Sequence, residues 1–159
     1  MKLHIVSLAL VAVIASACGA ASSAPAGKTT APSVIPLAAV QQEVAGKPVV
    51  YLFTAQGCSS CVEQAKALAA AAHGRPSVQL VGVDLTNDNV TDFAAYITAI
   101  GLADSPFTWT VDRDGSLARR YGILSLGSTV FIASDGRVRF VNSGPQGAQT
   151  LSAQLGQLS

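Results

Sequence analysis

Two cysteines stand two residues apart near the middle of this 159-residue chain, as Cys58-Ser59-Ser60-Cys61. At the first turn of a helix, the helix dipole and free backbone N–H groups favour the thiolate, which is the reactive form of the side chain. In that setting Cys58 would be the exposed nucleophile, and Cys61, one turn further in, would resolve the mixed disulfide. The spacing therefore predicts thiol–disulfide exchange.

Two other kinds of site use the same spacing. A pair of cysteines can hold zinc with two further ligands, but ligands are scarce, since His4 lies in the apolar N-terminus and His73 near a predicted helix end. A structural disulfide is the second alternative, although a bond between adjacent turns cross-links almost none of the chain. The residues alone leave both alternatives open.

The sequence around the cysteines predicts the elements that position them. Residues 49–53 form a continuous apolar run, which is typical of a central strand covered on both faces. Beyond the cysteines, small and apolar residues recur at three- and four-residue spacing and predict an amphipathic helix ending near Gly74, with Gln64 on its polar side. The cysteines thus lie at a junction of strand and helix.

The rest of the chain predicts an α/β domain. The order strand, helix, strand, helix favours a mostly parallel sheet. A later Asp135-Gly136 pair between two apolar runs predicts a hairpin. The remaining predicted strands are residues 78–85, 107–111, 129–133 and 137–141, and the remaining predicted helices are residues 37–44, 90–100, 117–121 and 146–158.

The N-terminal residues predict export. Residues 1–17 combine Lys2, an apolar run and a final small-residue triplet, which together indicate a secretory signal peptide that is short for a membrane span. Residues 18–35 are rich in Ser, Ala, Pro, Gly and Thr, so we expect a flexible tether. Residues 36–159 then form a single domain.

Cys18 follows the small-residue triplet directly. The segment Ala15-Ser16-Ala17-Cys18-Gly19 resembles the lipobox of bacterial lipoproteins, with Ala15 in place of the usual Leu. This resemblance implies lipidation of Cys18, for example by palmitate, and two acyl chains suffice for stable anchoring on the outer face of the bacterial cytoplasmic membrane. Simple secretion is the alternative. In either compartment Cys58 and Cys61 could form a disulfide.

Composition excludes other classes of protein. Half of the residues are hydrophobic, 12% are charged and the net charge is +1. This balance is too apolar for a disordered chain, and no basic block indicates nucleic-acid binding.

The stretch from Pro48 to Gly136 resembles the TlpA and ResA branch of the thioredoxin superfamily. The resemblance implies a thioredoxin-like α/β fold with a central mixed sheet flanked by helices, and a thiol–disulfide oxidoreductase without a cofactor. Its partners would be exported proteins that carry cysteines or disulfides, together with an unidentified redox partner, and reduction is favoured over oxidation. We expect a monomer. The stretches that carry the resemblance are residues 49–61, 81–84, 111–115, 121–123 and 131–136.

Three positions depart from the family pattern. Gly57 replaces a Trp before the first cysteine, Leu52 replaces the buried acid of thioredoxin, and Gly127 stands where the family has its active-site cis-proline. In the family, the Trp lies beside the nucleophile, and the loop that carries the cis-proline receives the substrate chain. The resemblance therefore implies that Gly57, Gly127 and Ser128 are substrate-binding residues. A cis peptide before glycine is costly, so we expect a trans turn.

Gly127 also gives a prediction about substitution. Replacing it with proline is expected to restore a fixed platform at little cost in stability, provided that the backbone accepts the proline angle. Pro145 lies past the last predicted strand and is not expected to take the role of the missing proline.

Two rival functions use the same cysteines. In the first, Cys58 and Cys61 hold a soft metal such as Cu(I), to which thiolates are suited, but no His or Met ligand lies nearby, and no metal site is assigned. In the second, the domain is a thioredoxin-like interaction module with vestigial redox activity.

Overall fold

The computed structural model describes residues 31–86 and 89–158. The predicted signal peptide, Cys18 and most of the predicted tether therefore lie outside the described residues. Within the described ranges, no helix has the length and apolar character needed to cross a membrane.

Five helices and five strands follow one another along the described residues, close to the predicted positions. The helices are α1 (Leu37–Glu43), α2 (Ser59–Ala72), α3 (Val90–Ala99), α4 (Ser116–Tyr121) and α5 (Ala148–Leu155). The strands are β1 (Val49–Thr54), β2 (Gln79–Asp84), β3 (Phe107–Val111), β4 (Thr129–Ile132) and β5 (Val138–Asn142).

The five strands form one mixed sheet in the order β3-β2-β1-β4-β5. β1 is the central strand, as predicted, and it pairs in parallel with β2, which pairs in parallel with β3. On its other side β1 pairs with β4 in antiparallel fashion, and β4 pairs likewise with β5. The mixed sheet is confirmed, whereas the expectation of a mostly parallel sheet is wrong, because the C-terminal hairpin contributes antiparallel pairings.

The hairpin turn between β4 and β5 forms where the Asp-Gly pair predicts it. The Asp135 carboxylate accepts a hydrogen bond from the backbone N–H of Arg137 at 3.0 Å. Gly136 has φ +77°, a left-handed conformation that favours glycine. This turn fixes which residues of β5 lie beside β4.

Alternate residues of β1 face two separate hydrophobic clusters. Val50 and Leu52 pack on one side of the sheet, with apolar residues of α2, α3 and α5. Tyr51 and Phe53 pack on the other side, with apolar residues of α1 and α4. The continuous apolar run of β1 is explained by this burial on both faces.

Trp109 anchors the edge of the sheet at β3. The backbone N–H of Trp109 donates to Ser33 O at 2.9 Å, and the N–H of Ile35 donates to Trp109 O at 2.9 Å. Ordered pairing thus begins at Ser33, shortly before the predicted domain start at residue 36. The Trp109 ring also covers Gly82, where an added Cβ would lie 2.1 Å from it, so only glycine fits there.

Candidate functional site

A tight turn connects the end of β1 to the first cysteine. The backbone N–H of Cys58 donates to Ala55 O at 3.2 Å, which closes a four-residue turn. Gly57 is the third residue of this turn and has φ +82°, as a type II turn requires. Nothing lies within 4 Å of the position of a Cβ on Gly57. The backbone conformation, and not lack of space, therefore favours glycine in place of the family's Trp.

Cys58 caps the N-terminus of α2, and Cys61 lies one turn inside the helix. The two side chains form a disulfide, with Cα atoms 5.3 Å apart. The Cys58 sulfur also accepts the backbone N–H of Cys61 at 3.2 Å, so the helix end supplies a donor to this sulfur. Cys58 is partly exposed, whereas Cys61 is only 1% exposed. An incoming thiol or disulfide can thus reach Cys58 first.

The surroundings of Cys61 are mostly apolar. Its sulfur lies 4.0 Å from the carbonyl oxygen of Phe53. Leu52, which stands where thioredoxin has an acid, is fully buried in the core. Among residues 31–86 and 89–158, no group of three or more His, Cys, Asp or Glu side chains could hold a metal ion.

The loop of residues 124–128 approaches the cysteines through Phe53. The N–H of Gly127 donates to Phe53 O at 2.8 Å, and the N–H of Phe53 donates to Ser128 O at 2.9 Å. The Phe53 carbonyl thus contacts both this loop and Cys61. The described residues contain no cis peptide bond, so the expected trans peptide before Gly127 is confirmed.

Ser128 lies beside the site, but its hydroxyl forms hydrogen bonds with other residues of the protein. Its side chain is buried and donates to Ser125 O at 2.7 Å. The same hydroxyl oxygen accepts the N–H of Gly144 at 3.4 Å. Any contact of Ser128 with a substrate would therefore compete with these bonds.

The condition attached to the Gly127→Pro expectation is not met, so a small cost in stability is no longer expected. Gly127 has φ +77°, whereas proline is fixed near −65°. Its N–H is also bonded to Phe53 O, and proline has no N–H to donate. The loop therefore cannot accept proline without rearrangement.

Pro145 lies against Gly127, which sequence reasoning missed. Its Cδ and Cγ atoms are 3.2 Å from the position that a Cβ on Gly127 would take. The hairpin explains this contact, because its register pairs Thr129 with Asn142 and so brings the residues after β5 beside the loop of residues 124–128. The Asp-Gly turn gave a signal for this register, although it did not locate Pro145.

Gln64 was also misplaced by the sequence pattern. Its side chain is not on the polar side of α2 but 2% exposed, on the same face as Cys61. Its Oε1 atom accepts the N–H of Gln146 at 2.7 Å, and its Nε2 atom has no hydrogen-bond partner in the described part of the chain. The segment after β5 is thus bonded to the cysteine helix through Gln146 and to Ser128 through Gly144.

One known protein family matches most of this chain. The AhpC/TSA family matches residues 28–141. The chain belongs to the AhpC/TSA family. The match includes the cysteines, the loop of residues 124–128 and all five strands except the last residue of β5. A search of curated protein sequences finds no match.

Several solved structures are similar to this chain over about 70% of its length or more. MTB dsbF, solved in mixed oxidized and reduced forms, has a TM-score of 0.63 and 26% identity, over 74% of this chain and 85% of that chain. A secreted Mycobacterium tuberculosis disulfide oxidoreductase homologous to E. coli DsbE has a TM-score of 0.61 and 28% identity, over 74% and 86%. StoA from Bacillus subtilis has a TM-score of 0.57 and 24% identity, over 69% and 83%.

These similarities confirm the thioredoxin-like α/β fold. The structural neighbours of this AhpC/TSA chain include thiol–disulfide oxidoreductases, and the chain itself carries a disulfide between Cys58 and Cys61. A redox enzyme of the thioredoxin-like kind is therefore the general class that fits the site.

Proposed function

We propose that this protein is an extracytoplasmic thiol–disulfide oxidoreductase that exchanges disulfides with cysteines of other exported proteins. The observation that carries the proposal is the unequal exposure of a bonded cysteine pair at a helix N-terminus. Cys58 is partly exposed, and Cys61 is almost completely buried. An attacking group and a protected resolving group are what the two steps of exchange require.

In the reducing direction, the Cys58 thiolate attacks one sulfur of a substrate disulfide, and the other substrate sulfur leaves as a thiolate. Cys61 then loses its proton to solvent and attacks the Cys58 sulfur, which releases the second substrate thiolate. Both substrate thiolates take up protons, two electrons pass to the substrate, and the Cys58–Cys61 disulfide remains. A separate redox partner must then reduce this disulfide.

The helix end supports the first step. In the disulfide-bonded form the N–H of Cys61 lies 3.2 Å from the Cys58 sulfur, and we expect it to donate to this sulfur after the disulfide opens. A backbone donor and the positive end of the α2 dipole both favour the thiolate over the thiol. Cys58 is therefore the residue that we expect to be reactive at neutral pH.

The substrate would lie between Gly57 and the loop of residues 124–128. Two leucines of that loop are exposed, Leu124 to 96% and Leu126 to 41%, next to the buried Gly127. Exposed apolar side chains beside a reactive group suit an extended substrate segment with an apolar residue near its cysteine.

Export and anchoring are part of the proposal. The apolar N-terminus and Cys18 support them, and the M. tuberculosis neighbour at 28% identity is described as secreted. Reduction is the preferred direction because of the resemblance to TlpA and ResA proteins.

Trapping experiments test the assignment of roles. Cys61→Ser should accumulate mixed disulfides with substrates through Cys58, because the resolving thiol is gone. Cys58→Ser should trap none and should lose exchange activity. Iodoacetamide should label Cys58 of the reduced protein faster than Cys61 at neutral pH. Faster labelling of Cys61 would reverse the roles.

Cys18→Ala is the matched control, since it removes a cysteine that is not part of the Cys58–Cys61 pair. It should keep insulin-reduction activity but lose attachment to membranes when the full chain is expressed with its own signal in a bacterium. A fully soluble wild-type protein with unmodified Cys18 at its N-terminus would contradict the anchoring.

Two further measurements separate the rivals. The reduction potential of the Cys58–Cys61 pair against glutathione decides the direction of exchange. Metal analysis of protein purified under reducing conditions tests the copper hypothesis, and stoichiometric copper without insulin reduction would favour it. Absence of both copper and exchange would favour the interaction module.

A further inference from the structure

A polar cavity lies at the end of the sheet opposite to the cysteines. It has a volume of about 270 Å³ and lies between the C-terminal ends of α1 and α4, the start of β1 and the hairpin turn. The strand register fixes its position, because Val49 at the start of β1 pairs with Ile132 at the end of β4. At the other end of β1, Phe53 pairs with the loop beside the cysteines. The cavity is therefore separate from the redox site.

Lys47, Tyr51, Arg120 and Tyr121 are among the residues that line this cavity, and each carries a side-chain hydrogen-bond donor. The guanidinium carbon of Arg120 lies 5.5 Å from the centre of the Tyr121 ring, and the rings of Tyr51 and Tyr121 are 5.9 Å apart. Tyr51 is only 3% exposed, and it is one of the residues that line the cavity. A mostly buried ring that borders the cavity can present its hydroxyl to a bound group.

The Tyr51 hydroxyl is a donor at physiological pH. Burial raises the pKa of Tyr51 to about 12, the nearby Tyr121 adds to the rise, and the positive charge of Arg120 opposes it. Burial also raises the pKa of Tyr121. Both phenols therefore keep their protons at neutral pH.

The two charged side chains that line the cavity are both positive. Lys47 and Arg120 line it, no Asp or Glu side chain does, and no ion pair joins either cation to a carboxylate among the described residues. The neighbouring Asp135 is already engaged by Arg137 and Arg139. The cavity thus offers cations and hydroxyl donors to an anion.

We propose that this cavity binds a phosphate group, with Arg120, Lys47 and the Tyr51 hydroxyl as its donors. Guanidinium groups pair with phosphate oxygens in bidentate fashion, ammonium groups add a point charge, and a tetrahedral anion accepts bonds from several directions. The remaining walls are partly apolar and contact the carbon part of a small ester. Sites for drug-sized ligands have volumes of about 300–1,000 Å³, so this cavity suits a smaller ligand. The apolar wall residues are Val44, Ala45, Val49, Ile132 and Ala133.

The proposal is tested by titrating the full chain with inorganic phosphate and with glycerol 3-phosphate. Binding is detected by calorimetry and by amide NMR shifts. The expected result is saturable binding with shifts at residues 46–51, 120–121 and 132–136. Arg120→Gln should weaken binding about tenfold or more, because a charge-assisted bond is lost. Tyr51→Phe, which keeps the ring, should weaken it about threefold to tenfold.

Two control variants match these changes. Arg119→Gln removes the same charge one residue earlier, and the Arg119 guanidinium donates to Asp114 O instead of lining the cavity. Tyr96→Phe removes a hydroxyl from a ring that stacks on Phe93 on the other side of the sheet. Both controls should bind phosphate within about twofold of the wild type.

Vesicles distinguish a free phosphate ester from a lipid headgroup. Full-length Cys18→Ala protein, with and without Arg120→Gln, is sedimented with phosphatidylglycerol or phosphatidylcholine vesicles, so that any N-terminal contribution is common to both proteins. Loss of phosphatidylglycerol binding on Arg120→Gln assigns a lipid phosphate, and Arg120-dependent binding of the soluble probes alone assigns a free ester. The proposal is overturned if no probe binds, or if Arg119→Gln weakens binding as much as Arg120→Gln.

Discussion

Residues 55–61 and residues 124–128 face each other across the redox site, but they are held in place differently. The turn at residues 55–61 is closed by its own hydrogen bonds, from Cys58 to Ala55 and from Cys61 to Cys58. The loop of residues 124–128 is held mostly by distant partners, namely Phe53 on β1 and the residues that follow β5. The reactive half of the site is thus a local structure, and the facing half depends on tertiary contacts.

This difference predicts different consequences of substitution. Changes to the cysteines should alter the chemistry while the fold persists, because their backbone is held by the strand–turn–helix unit. Changes to the facing loop should alter stability first, because its backbone bonds join separate parts of the chain. Three measurements test this comparison.

The largest effect is expected for Gly127→Pro. The substitution removes the bond to Phe53 O and requires a φ far from the observed +77°, so the free energy of unfolding should fall by about 3 kcal/mol or more. Urea denaturation measures the loss. A stable Gly127→Pro protein with faster exchange would show that the loop has another conformation in solution.

An intermediate effect is expected for Gln64→Ala. The N–H of Gln146 would lose its buried acceptor, and we expect a loss of about 1–3 kcal/mol in the free energy of unfolding. The adjacent Glu63→Ala is the control, since Glu63 is exposed and, within the described part of the chain, forms an ion pair only with exposed Lys66. Its effect should stay within about 0.5 kcal/mol. Equal effects in the two variants would contradict the buried role of Gln64.

The smallest effect is the coupling between Gly127 and Pro145. Both Gly57→Ala and Gly127→Ala should cost about 1–2 kcal/mol, because each residue has positive φ. Gly127→Ala should cost more than Gly57→Ala, since its Cβ would press on the Pro145 ring, whereas the space at Gly57 is open. Adding Pro145→Ala to Gly127→Ala should recover about 0.5–1 kcal/mol, as measured in a double-mutant cycle. Strict additivity would rule out the contact.

The sequence pattern predicted the elements well where burial is periodic. The apolar run in β1, the spacing of apolar residues in α2 and the Asp-Gly pair of the hairpin are strong local signals. The bounds of these elements differ from the predictions by a few residues at most. The pattern failed at Gln64, because a polar residue on an amphipathic helix is assigned to solvent unless its buried partner is known. That partner, Gln146, lies 82 positions later in the chain.

The sequence by itself determined the reactive part of this protein: a buried strand, a glycine turn and a cysteine at a helix start follow from residues within a short stretch of chain. Only the tertiary structure decided what surrounds it. Pro145 against Gly127, Gln146 on Gln64, and the donors Arg120 and Tyr51 around one cavity belong to elements that the sheet brings together. Local propensity and hydrophobic periodicity act over a few residues, whereas strand register and helix packing decide which distant side chains meet.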